Sequence, residues 1–435
     1  MAVGPQDRVW DRHGVLRAIL EPVRIPPMAR VRQVFPDSRL EDLPGAIAGE
    51  FARPGAGETI RAGMRVAVTV GSRGMADLPT LVRTVVDQVR VRGGEPFIVP
   101  AMGSHGGATP QGQLELLEGL GITEAVANAP IRATMETRVL GHTEDGRAVH
   151  LDRFAAEADG ILVLNRVKPH TAFRGPVESG LMKMMAVGLG NQKGAEACHA
   201  EGFHRMAEFV LQGARVVLAR APVLFGLAVL ENACDATCRI EAVPRDRIEA
   251  REPELLREAR GLMPCILLPR FDVLVVDRIG KNFSGSGADP NITGTYCSAA
   301  AGGGGPVFQR YVVLGLSPET HGGAQGMGMA DFTTRRLFDQ ADLDASYPNA
   351  LTYREPRTVK LPMVLANDRL ALQAAIYTCV GLGPGGPGIV RLADTLHINT
   401  IQVSPALLSG LRETPGLELL EPPRELPFDR DGNLF

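Results

Sequence analysis

The chain has 435 residues, 45% hydrophobic, 22% charged and 5% aromatic, with a formal net charge of -3. That length exceeds one ordinary core and calls for two domains, and the composition excludes a disordered chain. Interspersed charge with few aromatic rings excludes a nucleic-acid surface, and the six scattered cysteines fit a reducing compartment better than a disulfide framework.

No basic segment followed by an apolar run opens the chain. The longest apolar run, APVLFGLAVL at 221–230, is half the ~20 residues that a membrane span needs. A cytoplasmic protein without a membrane partner is expected. Cys234 and Cys238 have the spacing to share a helix face, but no second pair completes a tetrahedral metal site, and they read as ordinary thiols.

In chain order, RVAVTVG (65–71) reads as a buried strand, and LPTLVRTVVDQVRVRGG (78–94) as an amphipathic helix stopped by glycines. PFIVPAMG (96–103) is the next strand. A helix through QLELLEGLG follows, with Thr109 as N-cap and Pro110 in its first turn. GILVLNRV (160–167) and VLFGLAVLE (223–231) are further strands, with a helix over 205–220 between them. The charged segment at 251–264 is helical. FDVLVVDRIG (271–280), RYVVLGLSP (310–318), a helix over 367–381 and a strand over 396–404 complete the pattern. Alternating strands and helices predict an α/β fold of two domains with mostly parallel sheets and an active-site cleft between the domains. The expected division is residues 1–264, cofactor-binding, and 265–435, closing the cleft, with a hinge near 260–270.

Ligands of open α/β sheets sit beyond the carboxyl ends of the strands. Three loops fall there: GSRG (71–74) with Arg73, GSHGG (103–107) with His105, and KPHTAFRG (168–175) with His170. One loop histidine is ordinary, whereas three strand ends offering cationic or titratable groups to one rim mark a site. It could be an anion site without chemistry, its glycines admitting phosphate oxygens to backbone N–H groups. The P-loop, dinucleotide, zinc-protease and nucleophile-elbow signatures are all absent.

Together, GSRGMADL, AMGSHGGATPQGQ and PHTAFRGPVESGLMKMMAVGLG…ACHAEG resemble, in order, spacing and strand context over about residues 60–205, the nickel-dependent lactate racemase family. The resemblance implies racemisation or epimerisation of a small 2-hydroxy acid with a nickel-pincer nucleotide, which cofactor-biosynthesis enzymes must supply. It further implies that His105 and His170 are the catalytic acid/bases. Lys183 would tether the nucleotide, His199 would ligate nickel and Arg73 would face substrate. Gly106 and Gly188 would line the cofactor, and Lys281 and Asn282 would reach substrate from the second domain.

Two histidines suit this chemistry, because a hydroxyl proton must leave in one direction and return from another. An arginine can hold a carboxylate bidentately, while hydride chemistry has to belong to a cofactor. The chain departs from the family in having glycine after His105, GSRG in the first loop, and an interval from His170 to Lys183 three residues longer. The cofactor is therefore either present or lost in this branch. The alternative is a nucleotide- or phosphate-binding protein or enzyme on the same scaffold without nickel. Glu178 reads as a cap of the following turn, Asp289-Pro-Asn291 as a turn, and His321 as a further rim candidate.

Overall fold

The computed structural model describes residues 14–352, 354–411 and 413–435. Among them the strands are β1 (Met28–Gln33), β2 (Arg65–Val70), β3 (Glu95–Pro100), β4 (Thr137–His142), β5 (Ala148–Asp152), β6 (Gly160–Arg166), β7 (Val223–Glu231) and β8 (Thr237–Pro244). They continue with β9 (Val273–Ile279), β10 (Arg310–Leu316), β11 (Phe332–Thr334), β12 (Met363–Leu365), β13 (Ile389–Leu392), β14 (Thr400–Val403) and β15 (Leu417–Arg424). The chain forms two compact α/β units. One is Pro36–Met263, and the other joins the stretch up to Phe35 with Pro264–Phe435.

In the Pro36–Met263 unit the sheet order is β3-β2-β6-β7-β8, parallel except for β8, which turns back along β7. β2 is buried from Val66 to Val70, as a central parallel strand covered on both faces must be. The helix Leu78–Val91 buries Leu78, Leu81, Val82, Val85, Val86 and Val89, a single apolar stripe at helical spacing. That stripe packs with Val66, Val68 and Val70 into a core that also holds Phe51 and Phe225, whose rings meet edge to face at 5.2 Å. Thr109 caps the helix Pro110–Gly119, its hydroxyl accepting from the Gly112 amide at 3.0 Å.

From β2 the chain passes to β3 on one side of the sheet, and from β6 to β7 on the other. The order therefore reverses between β2 and β6, which opens a crevice at their carboxyl ends.

In the second unit the order is β12-β11-β10-β9-β13-β14-β1-β15. The first five strands are mutually parallel, and β14, β1 and β15 continue the sheet antiparallel. Side chains alternate between its faces. Leu274 and Val276 enter one core with Tyr311 and Val390, while Val273 and Val275 enter the other with the helix Asp368–Tyr377.

Three expectations change here. Residues 1–264 are not one domain, because β1 pairs with β14 and β15 and buries Ala29 and Val31 in the second unit's core. The strand expected over 396–404 shortens to β14, because Asp394 folds residues 394–397 into a turn by accepting from the Leu396 and His397 amides. Cys234 and Cys238 lie on the β7–β8 turn and on β8, so they share no helix face.

Phe51 is 1% exposed and anchors the first core. Phe51→Ala should cost about 3–5 kcal/mol. Urea unfolding should show this as a lower midpoint with an unchanged slope.

Candidate functional site

Three loops rise from the carboxyl ends of β2, β3 and β6, and the residues beyond them build the site. Glu231, at the end of β7, organises the first. It pairs with Arg166 at the end of β6 and accepts from the Ala76 amide at 2.6 Å, so the 71–77 loop is tied down beside β6. Arg73 stands exposed on this loop. Crowding by protein, and secondarily the Arg166 charge, lower its pKa.

The second loop is a run of left-handed residues, Gly106, Gly107 and Ala108. At Gly106 a Cβ would lie 2.5 Å from the Gly112 carbonyl carbon, so the turn needs glycine to close against the following helix. His105 is exposed, and its Nδ1 donates to the Met102 carbonyl at 2.7 Å. Because a carbonyl only accepts, that bond sets the neutral tautomer whose lone pair is on Nε2.

The third loop, 168–179, is closed by paired Lys168 and Ser179 backbone bonds. Glu178 sits inside it, fully buried. It accepts from the His170 amide at 2.8 Å, the Gly175 amide at 3.2 Å, Arg174 at 3.5 Å and Arg260 at 2.5 Å. It is thus the hub of the loop rather than a cap. His170 is half-buried, with its Nδ1 accepting from the Ala172 amide at 3.0 Å, so the neutral ring carries its proton on Nε2. Burial first, then the charges of Lys183, His199, Arg174 and Lys168, hold this imidazole well below its usual pKa.

The segment after the loop starts as the α-helical turn Leu181–Lys183, widens into a π-helix over Met184–Gly188 and resumes as the helix Asn191–His199. Such π segments concentrate at functional sites. Glu252, buried in the helix Ile248–Leu262, accepts from the Met182 amide at 2.8 Å at the start of this segment, and burial raises its carboxyl to about 7. Gly188 has a packing reason. A Cβ there would lie 2.7 Å from the Ala101 carbonyl oxygen, and the Gly188 carbonyl accepts from the Gly103 amide at 3.0 Å.

Burial lowers the Lys183 amine to about 8. Cys198 and Glu178 oppose that shift, and Arg73 adds to it. The Cys198 thiol is pushed up to about 12, again by burial, and is inert as a nucleophile.

Two aromatic rings draw the third loop and this segment together. Phe173 lies 4.3 Å from the His170 ring, with the Lys183 Nζ 5.9 Å above it. Phe203 lies 6.3 Å from His170 and meets His199 edge-on at 5.9 Å. His170, Lys183 and His199 are therefore neighbours, and Arg73 is within electrostatic reach of Lys183. His105 stands on the adjacent loop.

Lys281 and Asn282 belong to the other unit, just beyond β9. There the Lys281 amide donates to Thr320 Oγ1 at 3.3 Å, and Asn282 Oδ1 accepts from Ser317 Oγ at 2.6 Å. His321 is exposed on a left-handed turn of that unit. Sequence reasoning missed Phe173, Phe203, Glu231 and Glu252. The first lies within the quoted loop, but the carboxylates act from distant segments and leave no local signal.

A Lys183 amine near 8 is substantially neutral between pH 8 and 9, where an ordinary lysine stays charged. Its labelling by an amine-reactive reagent, followed by peptide mass mapping, should be half-maximal near pH 8. Glu178→Ala should cost about 3–5 kcal/mol in thermal unfolding, by stranding buried donors, and Glu178→Gln less.

A family model described as a domain of unknown function (DUF362) matches residues 70–242, a span that includes all three loops. No curated protein matches the chain. Among solved structures, the lactate racemase apoprotein from Thermoanaerobacterium thermosaccharolyticum is similar with a TM-score of 0.42 and 13% identity, over 80% of this chain and 85% of that one.

Proposed function

We propose that the rim between β2 and β6 is the active site of a racemase or epimerase of a small 2-hydroxy acid, working with a nickel-pincer nucleotide. The observation that carries this reading is the gathering of His170, Lys183 and His199 around Phe173 and Phe203 at a switch point of the sheet.

The residues fit the cofactor at Lys183, whose amine, lowered to about 8, has the neutral fraction that a covalent tether requires. His199, beside His170 across Phe203, would be the protein's ligand to the metal. When bound, the nucleotide supplies the hydride-accepting chemistry that side chains lack.

The chain's own residues account for the rest. Arg73 holds the substrate carboxylate with a planar fork of donors. His105, with its lone pair on Nε2, accepts the hydroxyl proton of one enantiomer and becomes the imidazolium. His170 gives its Nε2 proton to the oxygen of the other enantiomer and is reprotonated through solvent at the expense of His105, so that both rings end neutral. The reverse conversion retraces these steps. The longer interval before Lys183 is taken up in the Glu178-centred loop, and adding a few residues to a loop costs well under ~1 kcal/mol.

The test is to produce the protein with and without the cofactor-building enzymes, then measure nickel, intact mass and racemisation. Nickel and a covalent adduct are expected on the active protein, and Lys183→Ala should lack the adduct. His105→Ala and His170→Ala should each abolish racemisation while nickel stays near the wild-type level. Loss of nickel in either variant would move that histidine from proton transfer to ligation. A nickel-free protein without adduct that still binds a nucleotide reversibly would replace this reading with that of a nucleotide- or phosphate-binding protein.

A further inference from the structure

Lys183 is oddly placed for an amine. Leu181, Met182, Met184 and Met185 on either side of it are buried, and its Nζ lies 5.9 Å from the centre of the buried Phe173 ring. Among the described residues no carboxylate forms an ion pair with it. Glu178 is taken up by the His170 and Gly175 amides and by Arg174 and Arg260. A lysine in apolar surroundings without a counter-ion loses much of its preference for the charged form, and its neutral amine is a nucleophile. The residue is half-buried rather than sealed in, so a small molecule can reach it.

The groups around this amine are those that a carbonyl compound would need. His170, its ring 4.3 Å from the same Phe173 ring, keeps its proton on Nε2 because Nδ1 accepts from the Ala172 amide. A neutral imidazole of that tautomer donates to a carbonyl oxygen without adding charge to the site. Arg73 is within electrostatic reach of the amine and can hold a carboxylate with its planar fork. The Cys198 thiol, also within that reach, is pushed up to about 12 and does not compete for the carbonyl carbon.

We infer that Lys183, when no nucleotide is tethered to it, captures 2-keto acids as a protonated imine. The Nζ lone pair forms a bond to C2 while the carbonyl π electrons move to oxygen, which accepts a hydrogen bond from His170 Nε2–H. One amine proton then passes to that oxygen, giving the neutral carbinolamine. The C–O bond breaks, the oxygen leaves as water with one proton from solvent, and the nitrogen lone pair closes the C=N bond. Nothing is oxidised or reduced. Arg73 selects a keto acid over a simple ketone. This activity goes beyond the racemase reading, since it uses the same cluster without nickel, tether or hydride transfer.

The test uses the full-length chain produced without the cofactor-building enzymes. It is incubated with pyruvate and cyanoborohydride, which reduces an imine to a stable secondary amine, and analysed by intact mass and peptide mapping. One reduced pyruvate adduct on Lys183 is expected, and Lys183→Ala should lack it. Acetone, which has no carboxylate, should be fixed less than pyruvate, and Arg73→Ala should narrow that preference by about tenfold. Fixation spread over exposed lysines with Lys183 unmodified would overturn the inference. So would pyruvate and acetone fixed alike, or a preference that Arg73→Ala leaves unchanged. Neither nickel nor racemisation is read, so a failure here leaves the racemase reading standing, and a protein without racemase activity can still pass.

Discussion

A carboxylate that solvent does not reach holds the β2–β6 rim in place. Glu178 is fully buried among the His170 and Gly175 amides, Arg174 and Arg260. An ionised group in that position is tolerable only if its oxygens are well supplied with donors, so the loop has little freedom to rearrange around it. The backbone thus pinned delivers the Ala172 amide to His170 Nδ1 and sets Phe173 beside the ring. Arg260 comes from the helix Ile248–Leu262, and Glu252 of the same helix grips the start of the segment that carries Lys183. One helix therefore fixes the histidine loop and the lysine segment relative to each other.

Burial and charge at the rim keep the His170 imidazole neutral near neutral pH and bring the Lys183 amine down to about 8. Arg166 is paired with Glu231 and Arg174 with Glu178, yet both still bear on their neighbours. Arg166 lowers Arg73, and Arg174 and Lys183 lower His170. Crowding by surrounding protein is the larger cause at the exposed Arg73 and burial at His170, and burial acts in the same direction on the Lys183 amine. A rim in which cationic groups crowd one another favours an anionic ligand. The two neutral rings also differ at Nε2, an acceptor in His105 and a donor in His170.

The two units apply the same rule to different sheets. Each contains parallel strands whose order reverses once, between β2 and β6 in one and between β9 and β13 in the other. In each, the loops at that reversal are fixed by carboxylates, the buried Glu178 and the half-buried Glu231 in the first and the buried Asp394 in the second. The second sheet then continues antiparallel through β14, β1 and β15, which the first does not.

Much of this was legible in the sequence, because the parallel strands are continuous apolar runs and the helices carry clean stripes. RVAVTV, GILVLNR and VLFGLAVLE could only be buried strands, and Thr109-Pro110 announced its helix. The alternation of these elements dictated an α/β fold, and glycine loops at strand ends marked Arg73, His105 and His170. β1 and β15 could not be assigned from sequence, since a strand with one covered face takes its place from a partner hundreds of residues away. The π-helix after Lys183 was equally hidden, as were the reach of Glu252 to Met182 and the Asp394 turn. Residue type and local spacing determined which groups stand at the strand ends. Only the tertiary structure decided their protonation and tautomers, because these depend on burial and on donors and charges contributed by distant segments.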